Sequence, residues 1–299
     1  MTEKKGGDVM ANWLDILLSK TTAYKDIQKL RIGISNRIWM IENRDKWRKR
    51  RHLPPIKILP DEKEVITTVL GIIKEGWEGV IGKERKLGRE ISELVEAHSP
   101  IWSYWLKNVR GVGSLSTGLL YHHLHDKTFP SRSHLLKFCG LHTENGKAAK
   151  RVRGKKLCYN PIRKADMLLI GENLIKQRSL YKQIFDQERE KYIERYPEYV
   201  LPPGKKWDDF PPEDQHPKRI YKMARRNVTK LFLSHLWEVC WKLCYPEEKI
   251  PRPMHCQNRP LGDDEIIPPY YSFISLDDYM TEEETMEYVR RLDKPVRLV

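Results

Sequence analysis

Residues 145–164 form a dense run of positive charge in the middle of the chain. They hold eight basic residues and no acid, and Gly146 and Gly154 make the segment a poor helix. Basic side chains without acidic partners commonly neutralise nucleic-acid phosphates, so the segment predicts a binding loop. A merely solvated surface loop is the alternative. The bases are Lys147, Lys150, Arg151, Arg153, Lys155, Lys156, Arg163 and Lys164.

A glycine turn precedes this segment. Gly111–Val112–Gly113 lies between two helical stretches, and the next helix is predicted to begin near Ser114. Glycines allow positive φ and leave backbone N–H groups open, and a helix N-terminus adds partial positive charge. The turn is therefore a second candidate phosphate contact, and a plain helix–helix turn is the alternative. The candidate residues are Arg110, Gly111, Gly113 and Ser114.

A late helix is predicted over residues 218–243, with one basic and one apolar face. Apolar residues recur at helical spacing from Ile220 to Leu236. The basic face predicts a third phosphate-contacting surface. It consists of Lys218, Arg219, Lys222, Arg225, Arg226 and Lys230.

Cysteine and histidine groups give weaker signals. Cys240, Cys244, His255 and Cys256 can be zinc ligands, but their spacing fits no familiar zinc finger, and the neighbouring Trp241 and Leu243 favour core thiols. We therefore predict no metal and no cofactor. The histidines His122, His123 and His125 either contact phosphate or 2′-hydroxyl groups or are partly buried.

Two long helices are predicted to come before these motifs. The first runs from Trp13 to Arg51, with a basic end, and a Pro-rich linker follows it at 52–60. The second runs from Asp61 to about His98. The two are expected to form an antiparallel pair. The apolar stripe of the first consists of Ile27, Leu30, Ile34, Ile38 and Ile41.

The second helix carries a heptad seam from Ile73 to Leu94, interrupted by Glu84. This seam either packs within the chain or forms a homodimer. The heptad positions are Ile73, Trp77, Val80, Leu87, Ile91, Leu94 and His98.

Composition narrows the class of protein. The formal net charge is +14, from 55 Lys+Arg and 41 Asp+Glu, which favours an anionic partner. Residues 261–299 hold ten acids and four bases, so they carry −6 and the rest of the chain +20. This acidic end is predicted to be solubilising and partly disordered, or to shield a basic surface. The sequence predicts no membrane span, signal peptide or disulfide framework, and favours a cytoplasmic location.

A family resemblance emerges from the order of these motifs. The segments VRGVGSLSTGLLYHHL, FPSRSHLLKFCGLHTENGKAAKRVRGKKLCYNPIRKADMLL and HPKRIYKMARRNVTKLFLSHLWEVCWKL follow a heptad helix. Between Val80 and Cys244 the chain resembles the C-terminal half of the Piv/MooV-type DEDD insertion-sequence transposases, which are guided by a bridge RNA. The resemblance implies a helical nucleic-acid-binding domain.

Two departures from this family bear on catalysis. The transposases begin with a ribonuclease-H-like domain that carries four acids, whereas the first 100 residues here read as helical and basic. The family also has a nucleophilic Ser where this chain has Asn145, and an amide is no such nucleophile. The resemblance therefore implies binding without strand transfer, and no catalytic residue is predicted.

Two related groups lack or replace that nuclease domain. The Nop domain of box C/D ribonucleoproteins follows a long helical pair, and the Tas proteins of tandem interspaced guide RNA systems are RNA-guided DNA binders. By this similarity we expect a mainly α protein that binds a structured guide RNA and, through it, target DNA. A DNA-end-binding recombinase subunit and a plain helical scaffold are the alternatives.

The expected organisation places the helical pair at 1–51 and 61–107 and a Nop-like helical domain at 108–250. A Pro-rich insertion at 197–217 presents Trp207 and Phe210 either for base stacking or as core anchors, and the acidic tail is 251–299.

Overall fold

The computed structural model describes residues 5–50, 60–144, 146–152, 154, 156–205, 210, 216, 218–254 and 259–298. Most of these residues are helical, which confirms the mainly α prediction. The helices are α1 (Lys5–Glu42), α2 (Arg44–Arg50), α3 (Pro60–His98), α4 (Pro100–Tyr104), α5 (Ser114–Leu124), α6 (Arg132–Phe138), α7 (Pro161–Lys176), α8 (Tyr181–Arg195), α9 (Arg219–Cys244) and α10 (Glu282–Arg291). The short strands are β1 (Thr128–Phe129), β2 (Thr143–Glu144), β3 (Lys147–Ala148) and β4 (Val296–Arg297).

The chain divides into two compact units, residues 1–98 and 99–299. The boundary falls where α3 ends, about nine residues before the predicted boundary at 107. Ser99 is the first residue of the second unit. Its side chain accepts a hydrogen bond from the Trp102 backbone N–H and so caps the N-terminus of α4.

Unit 1 is the antiparallel helical pair that the sequence predicts. The rings of Trp13 and His98 stack at 5.7 Å at one end of the pair, and Lys74 bridges Glu42 at 2.6 Å towards the other end. Between them Arg31 pairs with Glu84, the polar residue in the heptad seam. The α3 seam therefore packs on α1 of the same chain, and a homodimer through residues 73–94 stays a prediction without support from these contacts.

The predicted apolar stripes differ from the buried ones in two places. Leu30 is 54% exposed, because the α1 face that meets α3 runs through Leu17, Thr21 and Tyr24 instead. On α3, Val95 is fully buried, and Leu94 is only partly covered. The first helix also ends at Glu42, and α2 continues after Asn43, so residues 13–51 are not one helix.

Five glycines lie within α3, and four of them, Gly71, Gly76, Gly79 and Gly82, have open space where a side chain would be. Replacing Gly79 by Ala should therefore raise the free energy of unfolding of unit 1 by about 0.5–1 kcal/mol, because a helical glycine loses more backbone entropy on folding. Denaturant unfolding followed by circular dichroism measures this. A destabilised Gly79→Ala variant would show that another chain or segment packs closely at this position.

Unit 2 is built around α9. Its residues Val228, Phe232 and Leu233 are fully buried, and the rings of Trp237 and Trp241 pack against each other at a tilt, with centroids 5.2 Å apart. α6, α7 and α8 pack around it, and α7 crosses closely because Gly171 faces Thr229. The predicted helix over 218–243 is thus confirmed, with its apolar face forming the core of the unit.

The acidic end belongs to this core, contrary to the prediction of a partly disordered tail. β4 pairs antiparallel with β1, matching Phe129 with Val296. The buried Tyr279 hydroxyl donates to Glu238 of α9 at 2.7 Å, and Trp105 Nε1 donates to the Tyr270 carbonyl at 2.6 Å. The acids of α10 lie on its solvent side, while its Thr285 and Tyr288 are buried.

Candidate nucleic-acid interface

We call residues 145–164 the basic loop. The loop follows Gly140, whose backbone conformation any other residue would adopt only with strain. Gly140 follows α6 with φ +70°, and Leu141 N–H donates to Leu136 O at 2.8 Å, which ends the helix. A Cβ on Gly140 would lie 2.6 Å from the Tyr159 ring. The chain therefore leaves α6 directly beneath Tyr159, which fixes the two ends of the loop against each other.

Lys164 closes the base of the same loop. Its ammonium donates to the Ala149 carbonyl at 3.0 Å and lies 4.4 Å from the centre of the Tyr159 ring. Ala149 is buried, whereas the described residues from 150 to 156 are exposed. The described residues between Ala149 and Tyr159 consequently extend into solvent from a fixed base. Arg153, Lys155 and Asn145 lie outside the described residues.

Three arginines that the sequence assigns to phosphate contacts have structural roles instead. Arg163 donates to the Phe138 carbonyl at 3.0 Å with its guanidinium over the Phe138 ring, and Arg226 donates to the carbonyls of Leu141 and His142. Burial lowers the pKa of both guanidinium groups. Arg225 pairs with Glu172 at 3.0 Å. With Lys164, these four residues hold the loop and α9 in place rather than offering free charge.

The remaining cations point to solvent. Among the described residues, none of them forms an ion pair, and Arg219 stacks over the Tyr199 ring at 4.2 Å. They are Lys147, Lys150, Arg151 and Lys156 on the loop, Lys218 directly before α9, and Arg219 and Lys222 on α9. We call these seven residues the basic patch.

Arg226 joins the two parts of the basic patch. It holds residues 141 and 142, from which β2 and the loop begin. Lys222 lies one helical turn before Arg226 and Arg219 two turns before it, so the three share one face of α9. The structure thus places the free cations of α9 next to the start of the loop, as a nucleic-acid backbone contact would need.

The glycine turn lies elsewhere. Gly111 packs against α7 at Asn173 and Leu174, about ten residues beyond Arg163. Ten residues of helix span about 15 Å, so the turn and the loop base are separated by that length of α7. Arg110 and Gly113 are exposed, and Ser114 begins α5, so this turn is a separate surface from the basic patch.

The two glycines of the turn, both predicted as phosphate contacts, have different backbone conformations. Gly111 has φ +100°, and a Cβ there would lie 2.9 Å from the Asn173 carbonyl oxygen. Gly113 has φ −94° with open space around it. The turn conformation therefore depends on Gly111.

Gly111→Ala should accordingly lower the free energy of unfolding by about 1–3 kcal/mol, because it forces a strained φ and a close backbone contact. Gly113→Ala, the matched control, should change it by less than about 0.5 kcal/mol. Thermal unfolding of both variants measures the difference. Equal losses would contradict this account of the turn.

Of the described histidine and cysteine candidates, His123 and Cys240 are buried, whereas His122, His125 and Cys244 are partly exposed. His123 Nε2 and Asp166 Oδ2 are 2.7 Å apart, and both side chains are buried between α5 and α7. Cys240 is buried in α9, and burial raises the pKa of another core thiol, Cys139, to about 12. Cys244 is partly exposed. His255, Cys256 and Trp207 lie outside the described residues, and the zinc interpretation of Cys240 and Cys244 stays untested.

One cluster of possible metal ligands was not predicted from the sequence. His142, Glu144 and Cys158 bring three ligand atoms within 4.8 Å of one another at the base of the basic loop. Glu144 lies on β2 and His142 directly precedes this strand, so the two residues are two positions apart in extended chain, where alternate side chains share a side. The His-x-Glu spacing was the available signal, but only the fold brings Cys158 to it.

Comparisons with family models, with curated proteins and with solved structures found no match for this chain. No helix among the described residues is long and apolar enough to cross a membrane. Function is therefore inferred from the sequence and from the exposure and charge of the basic patch.

Proposed function

We propose that this protein binds a structured RNA through the basic patch and that it acts as a non-catalytic binding protein. One observation carries the proposal. Seven cations of the loop and of the first turns of α9 are exposed without an ion pair in the described part of the chain, and Arg226 ties the two segments that carry them together. Like charges held together in this way repel each other, and a phosphate backbone relieves the repulsion.

The way in which the loop is held supports the same function. Arg163, Lys164 and Arg226 bind backbone carbonyls, so the base of the loop keeps its position while the charged residues stay in solvent. A prepositioned basic surface loses less entropy on binding than a disordered one. The arrangement fits backbone contacts to phosphates, which position a nucleic acid without reading its sequence.

The choice of RNA rests on the resemblance of residues 80–244 to bridge-RNA-guided transposases and to Nop-domain and Tas proteins. In such systems base pairing supplies the sequence specificity, and the protein holds the backbone. A target DNA would then be engaged through the guide. The Asn at position 145 argues for binding without strand transfer.

The nucleic acid that co-purifies with the protein tests this function. We expect material that RNase degrades and DNase leaves intact, with one RNA species dominating after sequencing. Material sensitive only to DNase would support the DNA-end-binding alternative. Protein that purifies without nucleic acid and does not bind added structured RNA at moderate salt would contradict the proposal.

A further inference from the structure

The base of the basic loop holds three side chains whose atoms are arranged as the ligands of one metal ion. His142 Nε2 lies 3.0 Å from Glu144 Oε1, and Cys158 Sγ lies 3.6 Å from each of these two atoms. Zinc bonds are about 2.0–2.3 Å long, so two ligand atoms of a tetrahedral site lie about 3.4–3.6 Å apart. The three distances therefore fit a site with only a small shift of the Glu144 carboxylate.

The ligand types select among metals. A thiolate and an imidazole favour zinc over magnesium or calcium, which take oxygen ligands. The thiolate and the carboxylate together carry the charge that neutralises a divalent cation. Glu144 and Cys158 are exposed, which leaves the fourth position open to water.

Neighbouring residues hold the three candidate ligands in position without a metal ion. Arg226 holds the His142 carbonyl, and the His142 ring meets the Tyr159 ring edge-on at 6.3 Å. Cys158 directly precedes Tyr159, which packs on Gly140. The ligands are thus carried by backbone that other contacts already hold, as a preorganised metal site needs.

We propose that His142, Glu144 and Cys158 bind a zinc ion that closes the basic loop. The ion joins residue 144 to residue 158, so it spans the segment that carries Lys147, Lys150, Arg151 and Lys156. Closing a loop at its base reduces the conformations that its residues can adopt. The site depends on the geometry of the loop base and not on whether the protein binds nucleic acid.

Cobalt titration of the chelator-treated protein tests the site. Co²⁺ should bind in one equivalent and give a thiolate charge-transfer absorption that Zn²⁺ then removes. Cys158→Ser should abolish this absorption, and Glu144→Gln should weaken Co²⁺ binding at least about tenfold. Cys244→Ser, a change at another partly accessible cysteine, is the matched control and should keep it. No absorption in the parent, or its loss in Cys244→Ser with retention in Cys158→Ser, would overturn the site.

Limited trypsin digestion tests the closure of the loop. Zn²⁺ should slow cleavage after Lys150, Arg151 and Lys156 at least about threefold in the parent and leave the rate unchanged in Cys158→Ser. Circular dichroism should show the same helicity in both proteins, since Cys158 is exposed. Metal binding without slower cleavage would contradict closure of the loop.

Discussion

Reversing three charges of the basic patch should remove most of the affinity for structured RNA. Lys150→Glu, Arg151→Glu and Lys156→Glu together should raise Kd at least about a hundredfold near physiological salt, because three phosphate contacts are lost and repulsion is added. The slope of log K against log salt should become shallower by about two to three. These residues are exposed, so the melting temperature should stay within about 2 °C. Fluorescence anisotropy across a salt series measures both effects.

A control with the same change in net charge separates the patch from general attraction. Lys107→Glu, Lys249→Glu and Arg290→Glu reverse three exposed bases of unit 2 that lie outside the patch. This variant should keep its affinity within about threefold of the parent. If both triple variants lose affinity equally, net charge alone attracts the RNA, and the patch has no special role.

Among the single substitutions considered, Glu238→Ala should lower the free energy of unfolding the most. Glu238 is 1% exposed, and its two carboxylate oxygens accept from Arg132 Nε and from the Tyr279 hydroxyl, both at 2.7 Å. Removing the carboxylate leaves the buried Arg132 guanidinium without its counter-ion, which costs about 3–5 kcal/mol. The melting temperature should fall by on the order of 10 °C. Chemical denaturation followed by tryptophan fluorescence measures the loss.

Two further variants identify the source of that loss. Glu238→Gln keeps an acceptor for Arg132, so it should cost less than Glu238→Ala. Tyr279→Phe removes only the hydrogen bond from the acidic end and should cost about 1–3 kcal/mol. A loss below about 1 kcal/mol for Glu238→Ala would mean that Arg132 reaches solvent and that the acidic end is not anchored through this network.

Local signals in the sequence account for some of the helix boundaries. Asn160 and Pro161 begin α7 as an N-cap and first residue, and Gly140 ends α6 with a positive φ. The antiparallel pair also follows from the apolar spacing and the Pro-rich linker. These features depend on a few neighbouring residues, which is why sequence alone contains them.

The fold of the acidic end could not be predicted in this way. Its buried residues, among them Ile266, Ile274 and Tyr279, follow neither a helical nor a strand period, because each fills a separate place on α9 and its neighbours. Its high acid content is typical of solvated segments. Only the tertiary contacts with Trp105, His235 and Glu238 show that the segment completes the core.

The same limit applies to the candidate site. A run of lysines and arginines predicts a basic surface, but it does not tell which members bind protein carbonyls. Arg163 and Arg226 differ from Arg151 only in the carbonyls that the fold brings to them. The metal-ligating cluster likewise depends on the packing of Tyr159 on Gly140, which brings the neighbouring Cys158 to His142 and Glu144.

Acetylation of individual lysines with and without bound RNA, measured by mass spectrometry, tests most directly whether the basic patch binds RNA. RNA should protect Lys147, Lys150, Lys156, Lys218 and Lys222 at least about fivefold. Lys107 and Lys249 should react at unchanged rates, and Lys164 should react slowly in both states, since it is bound to the Ala149 carbonyl. Unchanged reactivity across the basic patch, or protection confined to Lys107 and Lys249, would contradict the proposal that this surface binds RNA.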